Sequence, residues 1–116
     1  MDEITAADFE RDFYFRVPHP HLAWSILAVN VRHGSDGWQF AYGYQFPEIG
    51  MGSPFEGRLP SRESAGRIGL IRLRDALRRF AGDKDIDRDR DQKLASKYAD
   101  QIQEQLFPSQ LELGLA

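Results

Sequence analysis

The 116-residue sequence predicts an α+β fold: a three- or four-stranded antiparallel sheet, one helix packed on it and a second, C-terminal helix. Three observations predict this class. Aromatic residues alternate with small or polar ones over 38–46, which is typical of a strand because successive side chains point to opposite faces. Apolar residues recur at helical spacing over 61–81. A turn cluster at 34–37 joins the aromatic segment to an earlier apolar one, as in a hairpin.

Composition narrows the class of protein. The chain is 41% hydrophobic and 12% aromatic, which is too much for a disordered chain. Its net charge of −3 lacks the basic balance of a typical nucleic-acid-binding protein, and we expect no nucleic-acid partner on this ground. The absence of cysteine excludes disulfides and thiolate chemistry. No apolar run approaches the roughly 20 residues that span a bilayer, and the acidic N-terminus lacks the order of a secretory signal. We therefore expect a cytoplasmic protein without a membrane partner.

Two strand patterns precede the aromatic one. Residues 13–17 alternate in hydrophobicity and end at the prolines of 18–20, which cannot donate to a ladder. Residues 22–32 are apolar on both faces, which predicts a central strand covered on each side. Residues 47–60 are rich in proline and glycine and predict a long loop with a short edge strand near Phe55.

The aromatic residues of 38–46 have two interpretations. Rings at alternate positions supply the core face beneath the helix of 61–81, which we favour because a domain of this size needs such a core. Alternatively, they form a stacking platform for single-stranded nucleic acid. The rings are Trp38, Phe40, Tyr42, Tyr44 and Phe46.

Two helices follow the strands. Ser61 is the expected N-cap of the first, with Glu63 in its first turn and Gly82 after its end. The second is expected over 88–107 and is ended by Pro108.

The first helix also carries a basic face, from which Arg72, Arg78 and Arg79 are candidates for phosphate contacts. The alternative is a solvated face that pairs with the acidic residues of 83–91. The arginines of this helix are Arg62, Arg67, Arg72, Arg74, Arg78 and Arg79.

The remaining motifs do not predict a metal site, a cofactor site or a catalytic site. The acidic alternation of 83–91 begins like a calcium loop, but Arg88 and Leu94 stand where glycine and glutamate are required. The chain's three histidines lack a supporting carboxylate pattern. We find no nucleophile elbow and no glycine-rich loop that leads from a strand to a helix with a lysine behind it. We therefore expect no metal, no cofactor, no catalytic residues and no enzymatic activity.

The C-terminal segment is the most informative about function, and it reads Gln110-Leu111-Glu112-Leu113-Gly114-Leu115-Ala116. It resembles the Gln-x-x-Leu-x-Leu hexapeptide by which bacterial proteins bind the replicative sliding clamp, the β subunit of DNA polymerase III. The resemblance implies that Gln110 forms hydrogen bonds at the rim of a cleft, and that Leu113 and Leu115 fill an apolar pocket with support from Leu111. We expect residues 1–107 to form the domain and 108–116 to be a docking tail.

A second match lies at 103–107, where Gln103, Leu106 and Phe107 fit the shorter Gln-x-x-Leu-Phe form within a predicted helix. The tail also has an alternative: its leucines fold back and cover an apolar groove of the domain.

The sequence thus predicts a non-enzymatic interaction protein that binds the sliding clamp through its tail and inhibits or regulates replication. One alternative is an accessory or antitoxin-like module that binds another protein. The hairpin and the following helix resemble small β-β-α proteins of plasmids and other mobile elements, a resemblance that carries over no functional residues. Another alternative is a weak nucleic-acid binder that uses the arginine face of the 61–81 helix.

Overall fold

The computed structural model describes residues 12–108, which hold five strands and two helices. The strands are β1 (Asp12–Pro18), β2 (Ser25–His33), β3 (Trp38–Gln45), β4 (Gly50–Gly52) and β5 (Glu56–Leu59), and the helices are α1 (Arg62–Ala81) and α2 (Asp89–Leu106). This confirms the predicted α+β class. The segment predicted as a loop with one edge strand contains two short strands, β4 and β5.

The strands form one antiparallel sheet in the order β1-β2-β3-β4, with β5 also paired to β3. β2 is therefore central, as predicted. β4 pairs with the end of β3 and β5 with its beginning, so both short strands share one edge. Gly37 has a φ of +145° in the β2–β3 turn, and a Cβ there would lie 2.9 Å from the carbonyl oxygen of Leu59. Glycine thus allows β5 to pass close to this turn.

The aromatic row of β3 forms the core face, as favoured from the sequence. Phe40 and Phe46 are each 2% exposed, and Tyr42 and Tyr44 pack against the same core. The ring of Phe80 from α1 stacks on Tyr44 and Phe46, with centroids 5.7 and 5.9 Å away. Rings buried in this way are not available to stack on nucleic-acid bases.

α1 begins and packs as its sequence indicates. Ser61 is the N-cap: its Oγ accepts a hydrogen bond from the backbone N–H of Ser64 at 3.1 Å, and the Oγ of Ser64 accepts one from the N–H of Ser61 at 3.2 Å. Two glycines bring the helix close to the sheet. A Cβ on Gly66 would overlap the ring of Tyr14, and one on Gly69 would lie 2.5 Å from the Cγ1 of Val29.

α2 packs along α1, and both helices share one core with the sheet. The buried side of α2 consists of Ala95, Ala99, Ile102 and Leu106, together with Asp91 in its first turn. Within residues 12–108, both helices lie on one face of the sheet. The prediction that β2 is covered on each side therefore holds for helices on one face only, although Asn30 and Ala41 on the other face are each just 8% exposed.

We call the face turned away from the helices the open face. Val29 and Val31 of β2 belong to the core, so strand alternation places the residues between and beside them on the opposite side. Ladder partners on β1 and β3 share that side. The open face comprises Phe13, Arg16, Ala28, Asn30, Arg32, Gln39, Ala41 and Gly43.

Candidate functional sites

The terminal clamp-like segment lies outside the described residues. Gln110, Leu111, Leu113 and Leu115 therefore stay predictions, as does the division into a domain of 1–107 and a tail of 108–116. In the described chain, α2 ends at Leu106, one residue short of the expected end, and Pro108 follows shortly after.

The second match, at 103–107, takes part in the domain's own packing. Leu106 is 5% exposed and belongs to the core. The Oε1 of Gln103 accepts a hydrogen bond from Nη1 of Arg74 at 2.7 Å. Phe107 is half-exposed beneath the guanidinium of Arg67, which lies 5.0 Å from the ring centroid and donates to the Leu106 carbonyl at 3.2 Å. A partner that took these residues would have to break the last turn of α2.

The structure does not bring the three candidate arginines of α1 together. At 3.6 residues per turn, Arg72 and Arg79 project in nearly the same direction, and Arg78 projects about 100–120° away from them. Arg72 forms an ion pair with Glu56 of β5, with Nη1 and Oε1 3.5 Å apart, while Arg78 and Arg79 are exposed. Arg72 is thus engaged with β5, whereas Arg78 and Arg79 are exposed and project in different directions.

The acidic segment that precedes α2 pairs elsewhere than with the arginines of α1. Within the described chain, Arg88 forms an ion pair with Glu48 at 3.0 Å, and Lys93 pairs with Asp89 at 3.1 Å. Asp83 accepts a hydrogen bond from the backbone of Asp85 at 2.9 Å, which is a turn contact. Within residues 12–108, no ion pair joins an acidic residue of 83–91 to an arginine of α1. The predicted pairing between them is therefore wrong for this part of the chain.

The histidines and acidic residues of the described chain do not form a metal site. Across residues 12–108, no group of three or more metal-ligating side chains is placed to hold an ion. His19 has a local role instead: its Nδ1 accepts hydrogen bonds from the backbone N–H groups of His21 and Leu22, at 3.0 and 3.1 Å. This contact shapes the β1–β2 loop.

A bidentate ion pair joins the start of β1 to the start of α1. Arg62 donates from Nε and Nη2 to the two carboxylate oxygens of Asp12, at 2.9 and 2.6 Å. These hydrogen bonds hold the pKa of Asp12 below its usual range. Beside them, Tyr14 donates to the Oε1 of Glu63, and burial together with this bond raises the pKa of the Tyr14 hydroxyl.

The open face presents two arginines that sequence reasoning missed. The Nε of Arg16 donates to the Oγ of Ser25 at 2.6 Å, and its guanidinium lies 5.1 Å from the centroid of the Phe13 ring. The other is Arg32 on the neighbouring strand β2. Arg16 is thus held by one hydrogen bond and one ring.

Arg32 is held in the same way. Its Nε donates to the Oε1 of Gln39 at 2.7 Å, and its guanidinium lies 4.1 Å from the centroid of the Phe55 ring. In the described part of the chain, the terminal amino groups of Arg16 and Arg32 make no further hydrogen bond. In the sequence each arginine is one polar position in a strand, and the residues that hold Arg32 lie 7 and 23 positions away. No local pattern signals this arrangement.

Two cavities meet at Arg32. One, of about 720 Å³, is lined by the β2–β3 turn, His33 and Arg58. The other, of about 330 Å³, is lined by Asn30, Phe55 and Trp38 among others. Asn30 is 8% exposed, and its buried Nδ2 has no hydrogen-bond acceptor within residues 12–108. Arg32 therefore lies where the two cavities meet, at this end of the sheet.

Comparisons with protein-family models, with curated proteins and with solved structures found no match to this chain. In the described residues, neither helix has both the length and the apolar character needed to cross a bilayer.

Proposed function

We propose that this chain is a small interaction protein that binds the bacterial replicative sliding clamp through residues 110–115. The observation that carries the proposal is the terminal pattern of Gln110, Leu113 and Leu115, which has the spacing of the clamp-binding hexapeptide. In this proposal Gln110 contacts the rim of the clamp's cleft, and the two leucines enter its apolar pocket with support from Leu111.

The described domain supports the terminal match over the internal one. Gln103 and Leu106 already have partners in the fold, through Arg74 and the core respectively. The helix ends before Pro108, and proline restrains the residue before it to extended conformations. An extended peptide is the form in which alternate leucines can enter one pocket.

The expected affinity is modest. Burial of two leucine side chains contributes on the order of 3–6 kcal/mol before ordering costs. A micromolar complex requires about 8 kcal/mol, so hydrogen bonds of the Gln110 amide and the peptide backbone must supply the rest. A small protein that occupies the clamp's cleft would exclude polymerases from it. We therefore propose an inhibitory or regulatory role in replication, in the bacterial cytoplasm and without enzymatic activity.

The test compares full-length variants for binding to a purified bacterial clamp by isothermal titration calorimetry. We expect Leu113→Ala with Leu115→Ala to weaken binding by about 100-fold or more, because both pocket contacts are lost. Glu112→Ala is the matched control, since its position is unspecified in the motif, and it should bind within a few-fold of the unmodified chain.

Two results would contradict the proposal. One is unchanged clamp binding by the double variant. The other is protection of the amides of 111–115 from hydrogen exchange in the free chain, which would indicate that the tail folds back on its own domain.

A further inference from the structure

Within residues 12–108, the open face presents hydrogen-bond donors that neighbouring side chains hold in place. Arg16 and Arg32 each use Nε internally, so the remaining guanidinium donors are oriented before any ligand arrives. A preordered side chain loses less conformational entropy on binding than a free one. Guanidinium groups match the oxygens of phosphate in geometry and in charge.

Within residues 12–108, the two carboxylates that line the cavities beside this face each have a cationic partner. Asp12 at the start of β1 is bound on both oxygens by Arg62, and Asp36 in the β2–β3 turn lies 3.9 Å from Arg58. The donors of the open face therefore favour a ligand that is negatively charged and rich in acceptor oxygens.

The spacing of the two arginines favours an extended ligand. The ladder partner of Arg16 is Ala28, four residues before Arg32 on β2. At 3.3 Å per residue, the two positions lie about 13 Å apart along the strands. A single phosphate or carboxylate does not span this distance, whereas a polyanion does.

Aromatic side chains distinguish between kinds of polyanion. Trp24 is 51% exposed and directly precedes Ser25, the residue that holds Arg16. Bases of single-stranded nucleic acid stack on exposed rings and on guanidinium planes, whereas the side chains of a peptide made only of acidic residues, such as polyglutamate, have no rings to stack. In a duplex the bases stack on one another, so they are not available to stack on the ring of Trp24 or on a guanidinium plane.

From these contacts we propose that the open face binds single-stranded nucleic acid, with Arg16 and Arg32 contacting phosphates and Trp24 stacking on a base. The proposal does not depend on clamp binding, since it uses none of the tail residues. It also differs from the arginine face of α1, because it lies on the other side of the sheet.

The experiment measures fluorescence anisotropy of a labelled oligothymidylate of about 12 nucleotides with the full chain, over a range of salt concentrations. We expect binding whose affinity falls with salt. For Arg16→Gln with Arg32→Gln, we expect weaker binding and a salt slope smaller by about 1.4, from two lost contacts of about 0.7 each on a single strand. Arg78→Gln with Arg79→Gln removes the same charge from α1 and should leave the slope unchanged.

A second variant keeps the test independent of the arginines. Trp24→Ala should weaken binding by roughly 5-fold or more, as expected for loss of one stacked base, with no change in salt slope. The Leu113→Ala, Leu115→Ala variant should bind the oligonucleotide like the unmodified chain, which separates this proposal from the clamp proposal.

The inference would be overturned by absence of binding at low salt, or by an equal loss in the α1 control variant. Equal competition by polyglutamate or by duplex DNA would also overturn it, because it would show that charge alone is recognised. Thermal unfolding of each variant verifies that the fold is intact.

Discussion

Gly66 stands where α1 crosses β1, and a methyl group at this position would enter the space occupied by the Tyr14 ring. We expect Gly66→Ala to lower the free energy of unfolding by up to about 2 kcal/mol, because overpacking costs about 1–3 kcal/mol and the gain in helix propensity returns about 1 kcal/mol of it. Gly82→Ala is the matched control, since its Cβ would make only an ordinary contact, 3.4 Å from the carbonyl of Arg78. Urea denaturation measures both. A Gly66→Ala protein more stable than the control would contradict the close approach.

The ion pair between Asp12 and Arg62 can be tested through the pH dependence of stability. The pKa of Asp12 is lower in the folded chain than in the unfolded one. Its carboxylate therefore stabilises the native state above the unfolded pKa, and this contribution is lost as the pH falls through the lowered folded pKa. Since both side chains are partly exposed, we expect the contribution to be below about 1 kcal/mol.

The measurement is an NMR titration of the Asp12 carboxyl. In Arg62→Gln the pKa of Asp12 should rise toward its ordinary value, and the acid side of the stability profile should flatten. Arg90→Gln, remote in sequence and at the start of α2, should leave the Asp12 titration as it is. An unchanged Asp12 pKa in Arg62→Gln would show that another group lowers it.

At the scale of elements, the last turn of α2 decides between the two clamp-like matches. Leu106 is a core residue here, so we expect Leu106→Ala to cost about 2–5 kcal/mol of unfolding free energy. Gln105→Ala, exposed on the same turn, should change stability by less than about 0.5 kcal/mol. Chemical denaturation compares the two. A Leu106→Ala protein of unchanged stability would return 103–107 to consideration as a partner site.

The elements themselves were largely predictable, since their patterns are local. The alternation of 38–46 and the apolar stripe of 61–81 each reflect burial of one face, which sequence periodicity records directly. β4 and β5 were harder to predict. They are short, rich in glycine and held by pairing to β3, so tertiary contacts override their weak strand propensity.

For the molecule as a whole, some features follow from residues that are close together in the sequence, and others depend on tertiary contacts between distant residues. The sequence alone determined the α+β class, the aromatic core strand, the Ser61 cap and the terminal pattern of 110–115, because each depends on residues close together in the chain. The packing of the domain was needed to show that Gln103 and Leu106 serve the fold and that Phe55 supports Arg32. Those outcomes depend on partners far apart in the chain, which packing brings together and periodicity does not encode.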